Sequence, residues 1–140
     1  MDIVLDTNVI SELISLQGSR VIRAWIRRRS RDILWTTSTT KAEVLYGIRI
    51  LPRGQRRQTL MRSATLLFDI DFAGQILGFD TVAAEHYSQI AAHRREIGRP
   101  ISQFDAQIAA ICRAHGAAIA TRNVRDFEDC GIEILNPWAD

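Results

Sequence analysis

The order of the apolar runs constrains this chain most. Short unbroken runs at residues 2–5, 33–37, 75–79, 117–120 and 132–135 alternate with stretches whose apolar residues recur every three or four positions. Unbroken short runs read as strands buried on both faces, and the longer periodic stretches read as helices. Strand-helix alternation of this kind predicts an α/β fold, with a central parallel sheet of about five strands covered by helices on both sides. Ligand sites in such sheets lie beyond the carboxyl ends of the strands.

Punctuation residues place the helices. One is expected from about 8 to 15, broken by Gly18-Ser19. Val21, Ile22, Trp25 and Ile26 give the next its inner stripe, with arginines on the wet face. Thr40-Lys41-Ala42-Glu43 reads as a capping box opening a helix to about 50. Another covers 55–69, with Leu60, Leu66 and Leu67 inward. Asp80 caps a helix from about 81 to 97, ended by Gly98 and Pro100. Ser102-Gln103-Phe104-Asp105 opens the last long helix, and Gly116 closes it.

At 140 residues the chain fits one domain, 1–140. No stretch approaches the ~18 apolar residues of a membrane span. Met1-Asp2-Ile3 lacks the basic, apolar start of a secretory leader, so a cytoplasmic protein is expected. Cys112 and Cys130 make neither a disulfide framework nor a zinc set, and Cys112 falls in an apolar helical pattern. His86, His93 and His115 all sit in helical patterns and read as structural or solvated. The net charge is only +2, but residues 1–70 carry 12 basic and 6 acidic side chains, and residues 71–140 carry 6 and 10. Lys41 is the only lysine. An arginine-rich half beside an acidic half suits a nucleic-acid enzyme with a metal site, and equally suits ordinary solvated helix faces.

Four acids fall where a site is expected. Asp6 ends the first strand, Glu43 lies early in the helix after the second, Asp105 opens the helix into the fourth, and Asp126 follows the fourth. Crowded carboxylates repel unless a cation lies between them. Oxygen ligands without nitrogen or sulfur favour Mg²⁺ or Mn²⁺ over zinc. Helix capping alone also places an acid at positions like Asp6, Glu43 and Asp105.

The string Ile3-Val4-Leu5-Asp6-Thr7-Asn8-Val9-Ile10-Ser11-Glu12 resembles the opening of PIN-domain proteins. Ala42-Glu43-Val44-Leu45-Tyr46-Gly47 is similar to their second motif and Phe104-Asp105-Ala106-Gln107-Ile108-Ala109-Ala110 to their third. Thr121-Arg122-Asn123-Val124-Arg125-Asp126-Phe127 resembles the fourth, and Asn136-Pro137-Trp138 resembles the ending of FitB-like VapC toxins. The resemblance spans the chain. It implies a three-layer α/β/α fold and an Mg²⁺- or Mn²⁺-dependent endoribonuclease, the toxin of a type II toxin–antitoxin pair. Carried over by position, Asp6, Glu43 and Asp105 are the acidic triad that holds metal. Thr7, Asn8, Thr121 and Asn123 stand behind it, orienting carboxylates and water. The fourth acidic position falls on Asn123 in the FitB-like pattern and on Asp126 in many other members.

The reaction implied is hydrolysis of an RNA phosphodiester by metal-activated water, leaving a 5′-phosphate and a 3′-hydroxyl. Arg122 and the arginines of 20–31 and 49–57 are candidates for contacts to the RNA backbone. The implied partners are a small VapB- or FitA-like antitoxin that blocks the acidic site, operator DNA reached only through that antitoxin, and a second copy of the chain in a homodimer. The alternative is a weakly catalytic binding subunit of an antitoxin–DNA repressor complex. An aspartyl-phosphate enzyme is disfavoured, because Asn8 stands where such phosphatases carry a second Asp.

Overall fold

The computed structural model describes residues 1–15 and 17–139. Five parallel strands form one sheet in the order β3-β2-β1-β4-β5. They are β1 (Asp2–Leu5), β2 (Ile33–Thr37), β3 (Ile76–Leu77), β4 (Ala118–Ala120) and β5 (Ile134–Leu135). In register, Val4 lies opposite Trp35 on one side and Ile119 on the other. The expected runs at 75–79 and 132–135 shrink to two residues each. Both are edge strands, where pairing on one side sustains little length.

Among the described residues, seven α-helices flank the sheet: α1 (Thr7–Ile14), α2 (Arg20–Arg28), α3 (Ser38–Arg49), α4 (Gln55–Leu66), α5 (Thr81–Glu96), α6 (Gln103–His115) and α7 (Val124–Phe127). Strand side chains alternate between faces. Ile3, Leu5 and Ala120 therefore meet α1 to α4 through Val9, Ile10, Ile22, Trp25, Val44, Ile48 and Ala64. Val4 and Ile119 meet α5 and α6 through Ala83, Ile90, Ile108, Ala109 and Cys112. The result is the three-layer α/β/α architecture. Among the described residues, no helix is long and apolar enough to cross a membrane.

Three local expectations change. The helix expected from Thr40 starts earlier, because the hydroxyl of Thr37 accepts from the Thr40 N–H at 3.0 Å and is the true cap. The helix expected over 55–69 gives way to a π-helical turn at Leu67–Asp71. That turn sends Leu67 and Phe68 into the core while Leu66 is exposed, so Leu66 is not an inward residue. The stripe at 21–26 keeps Ile22 and Trp25 inside but leaves Val21 exposed. The caps at Asp80 and Ser102 form as expected, and Gly116 ends α6 in the left-handed region at φ 70°.

Topology fixes where ligands can bind. From central β1 the chain steps outward to β2 and β3, then returns over the opposite face to β4 and β5. The connections leaving β1 and β4 thus diverge at their carboxyl ends, opening a crevice there.

Candidate active site

Asp6 is the first residue past β1. Its N–H continues the ladder to the Ala120 carbonyl at 3.0 Å, and its own carbonyl accepts from Val9 and Ile10. The backbone thus begins α1, and the side chain makes no capping bond. Glu43 lies well inside α3, whose cap is Thr37, and Asp105 sits in the first turn of α6, whose cap is Ser102. Capping does not account for Asp6 or Glu43. Asp105 benefits from the helix dipole, but another residue caps its helix.

A hydroxyl and amide network grips Asp6. Its Oδ2 accepts from Thr121 Oγ1 at 2.7 Å and from Asn8 Nδ2 at 3.1 Å. Thr121 Oγ1 in turn accepts from Asn8 Nδ2 at 3.2 Å and from the Asn123 N–H at 3.0 Å. Asn8 Oδ1 accepts from the Arg122 N–H at 3.2 Å. Five groups thus lock the ends of β1 and β4 to each other. Thr121 is fully buried and Asp6 is 3% exposed.

Burial sets the electrostatics. It raises the Asp6 carboxyl to about 6; the Thr121 hydroxyl opposes the shift, and the charges of Asp105 and Glu43 add to it. Glu43 is also raised, first by burial and then by Asp105, while the Thr7 hydroxyl opposes. Thr7 Oγ1 donates to Glu43 Oε1 at 3.0 Å. Its single proton is spent there, so the Thr40 hydroxyl 3.1 Å away donates to Thr7. Asp105 is raised by burial and by Asp126, and lowered by its cap Ser102 and by Arg94. Asp105 thus acts on both Asp6 and Glu43, Glu43 acts on Asp6, and Asp126 acts on Asp105, so the three carboxyls share one electrostatic neighbourhood.

Asp126 lies on α7, and Asn123 precedes it at the N-cap position. Asn123 begins the helix, and its side chain makes no capping bond. Asp126 is exposed. The chain beneath it is held by Arg94, a buried residue of α5. Arg94 Nη1 donates to the carbonyls of Asp126 at 3.0 Å and Glu128 at 2.9 Å, and Nε donates to the Arg99 carbonyl at 2.6 Å. Sequence reasoning missed Arg94, which looks like half of an ordinary surface pair with Arg95. It also missed the bond from Thr39 Oγ1 to Gln107 Oε1 at 2.9 Å, which ties the Glu43 helix to the Asp105 helix. Arg122 stands beside Asn8, its guanidinium 5.1 Å from the Trp138 ring centre.

The donor set suits a hard divalent cation: carboxylate oxygens, each disfavoured as an anion by burial, while burial and the nearby Asp6 charge hold the Cys112 thiol in its neutral form. Among the described residues no three His, Cys, Asp or Glu side chains close into a metal cage. Mg²⁺ does not require one, since it binds through one or two carboxylates and keeps several waters.

The model of the family described as "PIN domain" matches residues 3–132. This chain belongs to the PIN-domain family. Among relatives of this PIN domain, the VapC ribonuclease Y4jK of Sinorhizobium fredii is 38% identical over 136 residues, covering 97% of each chain. Toxin FitB of Neisseria gonorrhoeae is 33% identical over 138 residues, covering 99% of each. Among solved structures, that of FitAB bound to an IR36 DNA fragment superposes with a TM-score of 0.86 at 32% identity, covering 97% of this chain and 95% of the other. This PIN domain is thus similar to VapC- and FitB-type proteins along its whole length.

Proposed function

We propose that this PIN domain is a metal-dependent endoribonuclease acting in the cytoplasm as the toxin of a type II toxin–antitoxin pair. One observation carries the reading: Asp6, Glu43 and Asp105, from three distant segments, lie near enough to act on one another's charge, and burial raises all three carboxyls. A pure binding module has no use for that costly cluster. Similarity to proteins named VapC ribonuclease and Toxin FitB supports the same reading.

In this reading Asp6 and Asp105 hold Mg²⁺ or Mn²⁺, with Glu43 beside them and Asp126 as an outer contributor. The bound ion supplies a Lewis acid that polarises the phosphate and lowers the pKa of water. Asn8 and Thr121 fix the Asp6 carboxylate. Thr7 fixes Glu43 so that it orients the attacking water. Asn123 anchors the chain at Thr121 through its N–H. Water adds to phosphorus as the bond to the leaving 3′-oxygen breaks, leaving a 5′-phosphate and a 3′-hydroxyl. Arg122 is placed for a contact to the RNA backbone.

The partners in this reading are RNA, a second copy of the chain, and a small antitoxin whose tail blocks the acids and whose other part binds operator DNA. The solved structure of FitAB bound to a DNA fragment supports a partner chain and DNA in that assembly. Incubating the purified chain with structured RNA tests the activity. Cleavage with Mn²⁺, its loss in EDTA and its loss in Asp105→Asn are expected. Undiminished cleavage by a rigorously purified Asp105→Asn sample overturns the metal-ligand assignment.

A further inference from the structure

Between Glu43 and Asp69 the chain has no acidic residue, yet it carries Arg49, Arg53, Arg56, Arg57 and Arg62. The fold collects this stretch into α3, the turn at Pro52-Arg53-Gly54, and α4. No ion pair is found for these five arginines among the described residues, and Arg62 donates only to the Thr59 hydroxyl. Uncompensated positive charge on one hairpin calls for a polyanion.

Two hollows lie along the hairpin, and one of them reaches an acid. The first, about 300 Å³, is lined by Thr7, Glu43, Gly47, Ile48, Leu60 and Arg56, so it begins at the candidate site itself. Gly47 has nothing within 4 Å of where a Cβ would stand, which keeps its floor open. The second, about 730 Å³, is lined by Arg49, Arg53, Arg57, Met61, Arg62 and Leu66. Arg56 lines one and its chain neighbour Arg57 the other. On α3, one turn from Glu43, Tyr46 is 66% exposed and offers a ring face on which a base can stack. The arginines at the end of α2 offer no such path. Arg29 pairs with Asp32 just before β2, at the amino edge of the sheet and away from the acids.

We propose that the α3–α4 hairpin is a track for single-stranded RNA. One base stacks on Tyr46 next to Glu43, and the phosphates beyond it run over Arg49, Arg53, Arg56 and Arg57. The proposal rests on the ribonuclease reading and adds where the strand lies. Tyr46 and the arginines bind rather than react, so their loss raises KM more than it lowers kcat. Charge complementarity alone also admits an acidic protein segment. The exposed ring beside the acids favours a nucleobase, because every base offers a face to stack.

The test uses the full chain in EDTA, where no cleavage interferes, with a short fluorescein-labelled single-stranded RNA of mixed sequence. Anisotropy titrations are repeated over a range of salt concentrations. Arg53→Gln and Arg57→Gln are each expected to flatten the log–log salt slope by about 0.7, and the double variant by about 1.4. Arg95→Gln, exposed on α5 over the opposite sheet face, leaves it unchanged. Tyr46→Ala weakens binding by about 5- to 100-fold, and Tyr46→Phe restores it. Unchanged slopes in Arg53→Gln and Arg57→Gln, or an equal flattening in Arg95→Gln, overturns the track. So does normal RNA binding by the double variant together with lost binding of a poly-glutamate peptide, which reassigns the hairpin to an acidic protein. If wild type shows the expected slopes but never cleaves with Mn²⁺, the nuclease reading fails and the track stands. If it cleaves and the variants keep its KM, the track fails and the nuclease reading stands.

Discussion

Asp6 and Asp126 follow neighbouring strands and stand in opposite states. Asp6 is buried, its Oδ2 gripped by Thr121 and Asn8. Asp126 is exposed, and the structure grips only the chain beneath it, through Arg94. One carboxylate is fixed at an electrostatic cost, and the other has its backbone fixed while its side chain stays solvated. A buried network orients a ligand before anything binds. An exposed acid adds charge but little geometry. The variants below break or sharpen that contrast, in order of expected effect.

The largest effect belongs to the buried acid. Asp6→Asn removes a charged oxygen from the centre of the cluster but keeps an acceptor for Thr121 and Asn8. We expect cleavage to fall at least about a hundredfold in a single-turnover RNA assay, since such a ligand site supplies several kcal/mol to the transition state. Stability should move the other way. The Asp6 carboxyl is raised from 3.8 to about 6, so between those pH values the folded state holds more proton than the unfolded one. Metal-free stability therefore falls as pH rises through that window, by about 3 kcal/mol at most. Asp6→Asn removes that loss. Its denaturant midpoint at pH 7 should exceed that of wild type in EDTA, and its pH profile should be flatter from 4 to 6. A wild-type profile that rises over that range contradicts the buried, repelled carboxylate.

Breaking the support under Asp126 should cost stability instead. Arg94→Met leaves the carbonyls of Arg99, Asp126 and Glu128 without their shared donor inside the protein. A loss of about 3 kcal/mol in urea unfolding is expected. If Arg94→Met unfolds at the wild-type midpoint, water replaces the guanidinium and the loop does not depend on it. Thr121→Val is the milder counterpart on the Asp6 side. It removes a 2.7 Å donor and leaves the N–H of Asn123 without an acceptor, at a cost of about 1–3 kcal/mol. It should also push the Asp6 carboxyl higher, because the Thr121 hydroxyl holds it down. An NMR titration of Asp6 reads that directly.

The sequence revealed the frame of this site better than its supports. The parallel sheet and the placing of Asp6, Glu43, Asp105 and Asp126 near the carboxyl ends of its strands follow from period, caps and motif order, whereas the strand order, and with it the switch point, came only from the structure. The cap of α3 did not, because residues 36–40 are five hydroxyl side chains in a row, and local chemistry permits several of them to cap. Packing chose Thr37 and turned Thr40 toward Thr7. The π-helical turn stayed hidden because Leu66-Leu67-Phe68 is equally apolar in any helical register. Arg94 stayed hidden because burial of one arginine in an Arg-Arg pair depends on carbonyls from residues 99–128, far along the chain.

The smallest effect expected is at the fourth acidic position, where the sequence left Asn123 and Asp126 both open. Asn123 offers a neutral carbonyl, and its side chain makes no cap bond to lose. Its structural contribution is its backbone N–H to Thr121, which survives truncation to alanine. Asp126 brings a full charge near enough to Asp105 to raise its carboxyl. Affinity of hard-oxygen sites rises with ligand charge, so Asp126→Ala should weaken Mn²⁺ binding or turnover by a factor of about 3–10, and Asn123→Ala by less. The exposed position of Asp126 keeps that factor well below the one for Asp6. A second reading needs no metal: in EDTA, Asp126→Ala should lower the titration midpoint of Asp105, because a like charge is gone. Mn²⁺ calorimetry and cleavage assays on both variants, with the NMR titration of Asp105, decide the matter. If Asp126→Ala matches wild type in all three, the site is built on Asp6, Glu43 and Asp105 alone, and Arg94 holds the loop for the sake of the fold.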